Sequence, residues 1–200
     1  LPASSQTITT TTSYLSLSNS SLTNLLASLL QPYPPHSNDC GELTNGEITA
    51  ETLISLITHS LPHCPTPPST FIDIGSSRGS AILTAAIEYN DVFAKCVGIE
   101  IDESLHNLAA ATKKEYDRLY SGVYSNIQFI HGDAFSPLHK SIYATPSSLK
   151  SLVYCCCTAF PPSLIDTLSS TLSTLLPGTV VITLTYALSS RDFTILSKTN

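Results

Sequence analysis

Charged side chains are scarce in this sequence. Only 12% of its 200 residues are charged, with nine Lys and Arg against fifteen Asp and Glu, and the net charge is -6. That fraction is about half of the usual share. Contacts to nucleic-acid phosphates need clustered Lys and Arg, and none of the nine forms a dense run. We therefore expect no strong nucleic-acid-binding surface.

Long apolar runs and paired cysteines are also missing. No run approaches the ~18 apolar residues of a membrane-spanning helix, so we expect no membrane insertion. Six Cys are present, but none are spaced as C-x-x-C, and we expect no metal site. Adjacent Cys155, Cys156 and Cys157 lie in an apolar stretch and are interpreted as small buried side chains. This favours an intracellular, reducing compartment, with nucleus and cytoplasm both open.

The remaining composition favours one globular α/β domain. A hydrophobic content of 42% over 200 residues can supply a sizeable core. Residues 1–60 are predicted to form an N-terminal extension with two helices, and residues 61–200 the main domain. Because the chain opens with Leu-Pro instead of Met, we expect it to be a processed or partial chain.

From Phe71 onward, short apolar strands alternate with helical segments. This alternation is typical of a doubly wound, mostly parallel, Rossmann-like sheet. Predicted strands cover residues 70–74, 95–101, 127–131, 151–157 and 179–185, followed by a weaker one at 193–196.

The most informative pattern is FIDIGSSRGS at residues 71–80. An apolar run is followed by Asp73, then by a turn with Gly75 and Gly79, then by an Ala-rich helical pattern. A strand, a glycine loop and a helix let a nucleotide-like ligand lie against N–H groups at the helix N-terminus. The spacing is G-x-x-x-G, not the G-x-G-x-x-G of dinucleotide enzymes. It indicates the S-adenosylmethionine (SAM) loop of a class I methyltransferase, with Asp73, Gly75, Ser76 and Gly79 contacting the methionine part.

Two further strand ends carry acids. Glu100 ends the second strand in VGIEI, where an acid can bind both hydroxyls of a ribose, and Ile101 follows it. Asp133 and Ala134 follow the third strand in HGDAF. There the Asp can accept from the adenine amine while the next residue packs on the ring. Three ordered strand ends thus predict one SAM site. The alternatives are ordinary turn and surface acids, or a nicotinamide dehydrogenase.

Several segments together resemble a narrower family, the non-SET histone-lysine methyltransferases of the disruptor-of-telomeric-silencing (Dot-one-like) type. They are CGELT at 40–44, DIGSSRGS, GIEI, HGDAF and VYCCCTAFPPSL at 153–164, and the resemblance spans Cys40 to Leu196. It implies that Gly41 and Glu42 lie on a loop closing over SAM. It also implies a sheet ending in an antiparallel hairpin, of which at most one strand is visible here.

The resemblance also locates the methyl-transfer end of the site. The paired Asn of the family correspond to Cys156 and Cys157, and Phe160 is implied to wall the transfer channel. With Tyr186 as a further channel aromatic, the predicted catalytic residues are Cys157, Phe160 and Tyr186. The expected reaction is methyl transfer from SAM to a nitrogen, and the resemblance implies a protein (histone) lysine as its carrier. A small-molecule or non-histone acceptor, or a SAM-binding module without transfer activity, are the alternatives.

Overall fold

The computed structural model describes residues 19–30, 47–120, 126–143, 150–189 and 191–198. These residues form a five-stranded parallel sheet with helices on both faces. In chain order the elements are α1 (Asn19–Leu29), α2 (Ala50–Ser60), β1 (Pro68–Ile74), α3 (Ser80–Glu88), β2 (Lys95–Glu100), α4 (Glu103–Tyr120), β3 (Ile127–His131), α5 (Lys140–Tyr143), β4 (Lys150–Cys155), α6 (Pro162–Leu172) and β5 (Val180–Thr183). Short 3-10 turns at Leu61–His63 and Pro137–His139 connect some of them.

The strand order places a ligand crevice at the carboxyl end of β1. The order is β3-β2-β1-β4-β5, so the chain moves outward on one side of β1 and then restarts on the other. In open α/β sheets the crevice for a ligand forms at this reversal. Asp73 on β1 is in register with Gly98 on β2 and with Tyr154 on β4. The predicted doubly wound parallel fold is confirmed.

Two apolar cores cover the faces of the sheet. The first contains the inward sides of α1, α2 and α3, and its centre is Phe71, whose ring lies 5.5 Å from Phe93 and 6.4 Å from Tyr154. The second contains α6 and the residues of β1 and β4 that point the other way, such as Ile72 and Cys155. Burial of both faces explains why the strands are nearly continuous apolar runs.

The N-terminal helices are integrated into the first core. Leu22 of α1 and Leu53 and Ile57 of α2 are almost completely buried there, together with side chains of α3. Helix α2 is capped by Thr49, whose hydroxyl accepts from the Thr52 N–H at 3.2 Å. The division at residue 60 remains a prediction. In the described segments, no helix combines the length and apolar character needed to cross a membrane.

The C-terminal part departs from the sequence prediction at the end of β4, at the end of β5, which is Thr183 instead of residue 185, and at the last predicted strand. Strand β4 ends at Cys155, two residues before the predicted Cys157, because the buried apolar run continues beyond its hydrogen-bonded ladder. The strand predicted at 193–196 is wrong, since residues 191–198 are described and contain no strand. Phe193 instead packs partly buried against the second core.

Candidate functional site

The glycine loop between β1 and α3 is tied to the neighbouring strand. The N–H groups of Gly75 and Ser76 both donate to the Ile99 carbonyl, at 2.9 and 3.0 Å. Gly75 has φ +78° and a Cβ there would have no neighbour within 4 Å, so this turn is open. Gly79 has φ +91°, and a Cβ there would lie 2.5 Å from Cζ of Phe129. Glycine at 79 therefore permits both the left-handed turn and the close packing of α3.

Beneath the loop, two buried polar atoms have no hydrogen-bond partner in the part of the chain that the structure describes. Asp73 and Ser76 are only 2% and 3% exposed, and Asp73 Oδ1 and Ser76 Oγ accept or donate no hydrogen bond among the described residues. Burial raises the pKa of Asp73 well above its usual range, and the nearby charges of Glu100 and Glu47 raise it further. A buried unpaired carboxyl is unfavourable unless a ligand compensates it. The ammonium group of SAM has the right charge to do so.

Glu100 is fixed at the end of β2 by two backbone donors. Its Oε2 accepts from the Ser77 N–H at 2.7 Å and its Oε1 from the Asp102 N–H at 2.8 Å. Ser77 has φ +49°, a left-handed conformation that aims its N–H at the carboxylate. A carboxylate has about four acceptor sites, so both oxygens retain capacity for ligand hydroxyls. The geometry thus fits a ribose.

The third predicted element follows β3 and lies beside Glu100. The Gly132 N–H donates to the Glu100 carbonyl at 2.8 Å, which joins the two strand ends. Asp133 is exposed and its Oδ1 accepts from the Phe135 N–H at 2.9 Å. Ala134 is buried, whereas Ile101 is 58% exposed. An exposed apolar side chain at the end of β2 offers a surface on which an adenine ring can pack.

Asp73, Glu100 and Asp133 therefore lie at the carboxyl ends of three adjacent strands. Asp73 is in register with Gly98, two residues before Glu100 on the neighbouring strand, and the charge of Glu100 raises the pKa of Asp73. The structure brings the predicted methionine, ribose and adenine residues to one edge of the sheet. Gly41 and Glu42 lie outside the described residues, and their assignment to a closing loop remains a prediction.

The residues predicted near the transferred methyl lie on the other side of β1, after β4 and β5. Cys156 packs against the first core, the face to which Asp73 points, whereas Cys157 is fully buried in the second core. The Cys157 thiol donates to the Leu184 carbonyl at 2.9 Å. A hydrogen bond from Cys155 lowers the pKa of Cys157 to about 7. Alternation along the chain thus places Cys156, not Cys157, on the face of Asp73.

The two aromatic candidates occupy different environments. Phe160 is partly buried against the second core, and its N–H donates to the Cys157 carbonyl at 3.0 Å. Tyr186 is 44% exposed just after β5. Both lie beyond the carboxyl ends of their strands, where an acceptor would approach a ligand held at β1.

An ion pair that the sequence did not predict joins the glycine loop to the segment before α2. Arg78 of the glycine loop donates from Nε to both carboxylate oxygens of Glu47, at 3.2 and 3.1 Å, and from Nη2 at 2.9 Å. Both side chains are largely buried, at 19% and 17% exposure. The signal available in the sequence was a second Gly-Glu pair, at positions 46 and 47, directly before α2.

No cluster of metal-ligating side chains is present in the part of the chain that the structure describes. Among residues 19–30, 47–120, 126–143, 150–189 and 191–198, no group of three or more His, Cys, Asp or Glu side chains is arranged to hold a metal ion.

Two solved structures with a similar fold are described as methyltransferases. The rRNA methyltransferase aviRa from Streptomyces viridochromogenes matches with a TM-score of 0.56 at 12% identity, over 78% of this chain and 86% of that one. The S-adenosylhomocysteine-bound methyltransferase PaMTH1 from Podospora anserina matches with a TM-score of 0.52 at 15% identity, over 82% of this chain and 61% of that one. At these identities the likeness shows the fold.

Other matches are considerably longer than this chain. A SAM-dependent methyltransferase from Thiobacillus denitrificans, solved with S-adenosyl-L-homocysteine, matches at 20% identity with a TM-score of 0.45. The match covers 72% of this chain and 50% of that one, so this chain spans about half its length. No curated protein matches the sequence.

The family assignment comes from the sequence itself. The family model described as "Histone methylation protein DOT1" matches residues 25–199, which is most of the chain. That range includes the glycine loop, both later strand-end acids and the residues after β4 and β5. The predicted resemblance is confirmed, and the chain belongs to the DOT1 family of histone methylation proteins.

Proposed function

We propose that this chain is a SAM-dependent methyltransferase that transfers a methyl group to the side-chain nitrogen of a histone lysine. The observation that carries the proposal is the buried carboxyl of Asp73 beneath an open glycine loop, with its Oδ1 lacking a hydrogen-bond partner among the described residues. It lies in a chain of the DOT1 family, beside two further strand-end acids. The combination supports a ligand that is cationic at one end and a nucleoside at the other.

The chain's own residues divide the binding task. Asp73 would accept from the ammonium group, Glu100 from the ribose hydroxyls, and Asp133 from the adenine amine, with Ile101 and Ala134 against the ring. SAM, when bound, supplies a methyl group already activated on a sulfonium. The protein then needs to align the acceptor and exclude water, and no strongly basic residue is required.

The acceptor side supports an uncharged nucleophile. Residues 151–165 and 179–190, which surround the ends of β4 and β5, contain no charged side chain. A lysine entering such an apolar environment favours its neutral form, which is the nucleophilic one. This is consistent with a protein lysine that loses its proton to solvent before transfer.

One observation favours a second candidate, a SAM-binding module without transfer activity or with a different acceptor. The paired Asn implied by the family resemblance are replaced by Cys156 and Cys157. A thiol cannot act as both strong donor and strong acceptor as a carboxamide does. The net charge of -6 also opposes docking on nucleosomal DNA.

The setting that we propose is intracellular and reducing. No disulfide joins the five cysteines in the described residues, and three of them, Cys96, Cys155 and Cys157, are buried. Free buried thiols without disulfide partners are typical of such compartments. Alkylation of the purified protein under denaturing conditions, without reductant, would count them.

Calorimetry with SAM tests the cofactor site first. We expect binding by the unmodified chain and a weakened affinity in Asp73→Asn, with the exposed Asp166→Asn on α6 as the matched control. Absence of heat at tens of micromolar SAM would contradict both candidate functions. Transfer of labelled methyl to core histones, nucleosomes and whole lysate then separates the two candidate functions. Labelling only in the lysate rejects the histone acceptor. No labelling of any of the three favours the binding module.

A further inference from the structure

The turn that follows β5 has an unusual backbone conformation. Thr185 has φ +73°, although it is a β-branched residue. A β-branched side chain in the left-handed region is a genuine outlier and persists only where surrounding contacts hold it. Such outliers concentrate at functional sites, and the contacts around Thr185 show what holds it in this conformation.

Side chains from two strands hold this turn. The hydroxyls of Thr158 and Thr185 lie 2.9 Å apart and share a hydrogen bond. The Thr183 hydroxyl donates to the Tyr186 carbonyl at 2.7 Å, and the Tyr186 N–H donates to the Leu184 carbonyl at 2.9 Å. The loop after β4 and the turn after β5 are therefore fastened together at Thr158.

The fastened turn lies next to the proposed methyl-transfer point. Thr158 also contacts Cys156, with Sγ and Oγ1 3.9 Å apart, and Cys156 is on the face to which Asp73 points. Tyr186, at the other end of the turn, has 44% of its surface exposed. A row of polar contacts thus runs from the cofactor side of β4 to an exposed aromatic ring.

We propose that Thr158 and Thr185 are positioning residues that hold Tyr186 at the entrance through which the methyl acceptor reaches the site. The proposal rests on the proposed methyltransferase function and adds how its acceptor side is built. If the Tyr186 ring is already fixed before an acceptor binds, less conformational entropy is lost on binding. Loss of the Thr158–Thr185 bond should therefore affect acceptor binding and leave SAM binding unchanged.

The matched variants are Thr158→Val, which keeps the shape and removes the hydroxyl, and Thr158→Ser, which keeps the hydroxyl. With labelled SAM and core histones, we expect Thr158→Val to raise the acceptor KM about two- to tenfold, the effect of one lost hydrogen bond, with a smaller change in kcat. Thr158→Ser should restore the KM. Calorimetry should give one SAM Kd for all three proteins.

A second readout needs no acceptor. The sequence contains no Trp, so Tyr186→Trp creates a single reporter at the rim. We expect acrylamide quenching of this Trp to rise when Thr158→Val is added and to stay low with Thr158→Ser. If the double variant does not fold, Thr185→Gly replaces it, since glycine adopts the same φ without the hydroxyl.

Unchanged quenching in both Thr158→Val and Thr185→Gly would overturn the proposal, as would a lowered SAM affinity that accounts for the whole loss of activity. Failure of the proposed function looks different. In that case the unmodified chain neither binds SAM nor methylates histones, while the quenching comparison still decides whether Thr158 positions residue 186.

Discussion

Replacing Glu100 with Gln removes one charge from the centre of the proposed ribose site and almost nothing else. The side chain is only 7% exposed and accepts from the N–H groups of Ser77 and Asp102. Gln keeps one acceptor oxygen and turns the other position into an NH2 group, which must face an N–H donor. One of the two backbone bonds is therefore lost in the variant.

The expected size follows from these contacts. A hydrogen bond to a charged group contributes about 1.5–3 kcal/mol, so the free protein should lose roughly that much stability. The ribose hydroxyls lose the same charge, and a similar penalty on binding corresponds to a Kd raised about 10- to 100-fold. Urea denaturation measures the first effect and calorimetry with SAM the second, with Asp166→Asn as the control for both.

The two measurements separate structural from ligand roles. If Glu100→Gln is destabilised but binds SAM as tightly as the unmodified chain, Glu100 only supports the glycine loop. That result would refute the ribose assignment, even though the fold assignment would stand.

Three further predictions concern the same loop. Gly79→Ala should lower the free energy of unfolding by about 1–3 kcal/mol in urea, because its Cβ would meet the Phe129 ring in a left-handed turn; an unchanged midpoint would contradict this. Because the pKa of Asp73 is raised in the folded state, the free energy of unfolding of the free protein should fall as pH rises through that pKa. The affinity for SAM should increase over the same interval, because the ammonium group binds the ionised carboxyl. Asp73→Asn should flatten both curves. In a double-mutant cycle with urea, Arg78→Leu and Glu47→Gln should each destabilise the chain and couple by about 1 kcal/mol; strict additivity would show that the ion pair contributes nothing.

Much of the fold could be predicted because burial leaves a direct mark on sequence. Strands β2 and β3 are largely apolar runs that end at the polar residues Glu100 and His131, and the predicted β3 matches the observed Ile127–His131. The ends of β4 and β5 were overestimated, because Cys157 and Leu184 remain apolar after ladder pairing stops. An apolar residue at these positions indicates burial, and it does not show whether the residue is also hydrogen-bonded in the sheet.

The candidate site was predictable only where chemistry and position coincide. Asp73 and Glu100 lie at the carboxyl ends of β1 and β2, and Asp133 follows β3; parallel topology brings such positions together. The Arg78–Glu47 pair joins residues 31 positions apart in the sequence, and the Gly-Glu pair at positions 46 and 47 does not indicate which side chain Glu47 contacts. The division of Cys156 and Cys157 between opposite faces depends on the exact end of β4, which composition does not define.

A crystal structure of the protein soaked with S-adenosylhomocysteine would test the central claim most directly. The account predicts the ribose hydroxyls on the Glu100 carboxylate, the amino group near Asp73, and the adenine ring between Ile101 and the Asp133–Ala134 segment. A nucleoside bound away from these three strand ends, or an empty cleft at saturating ligand, would contradict it.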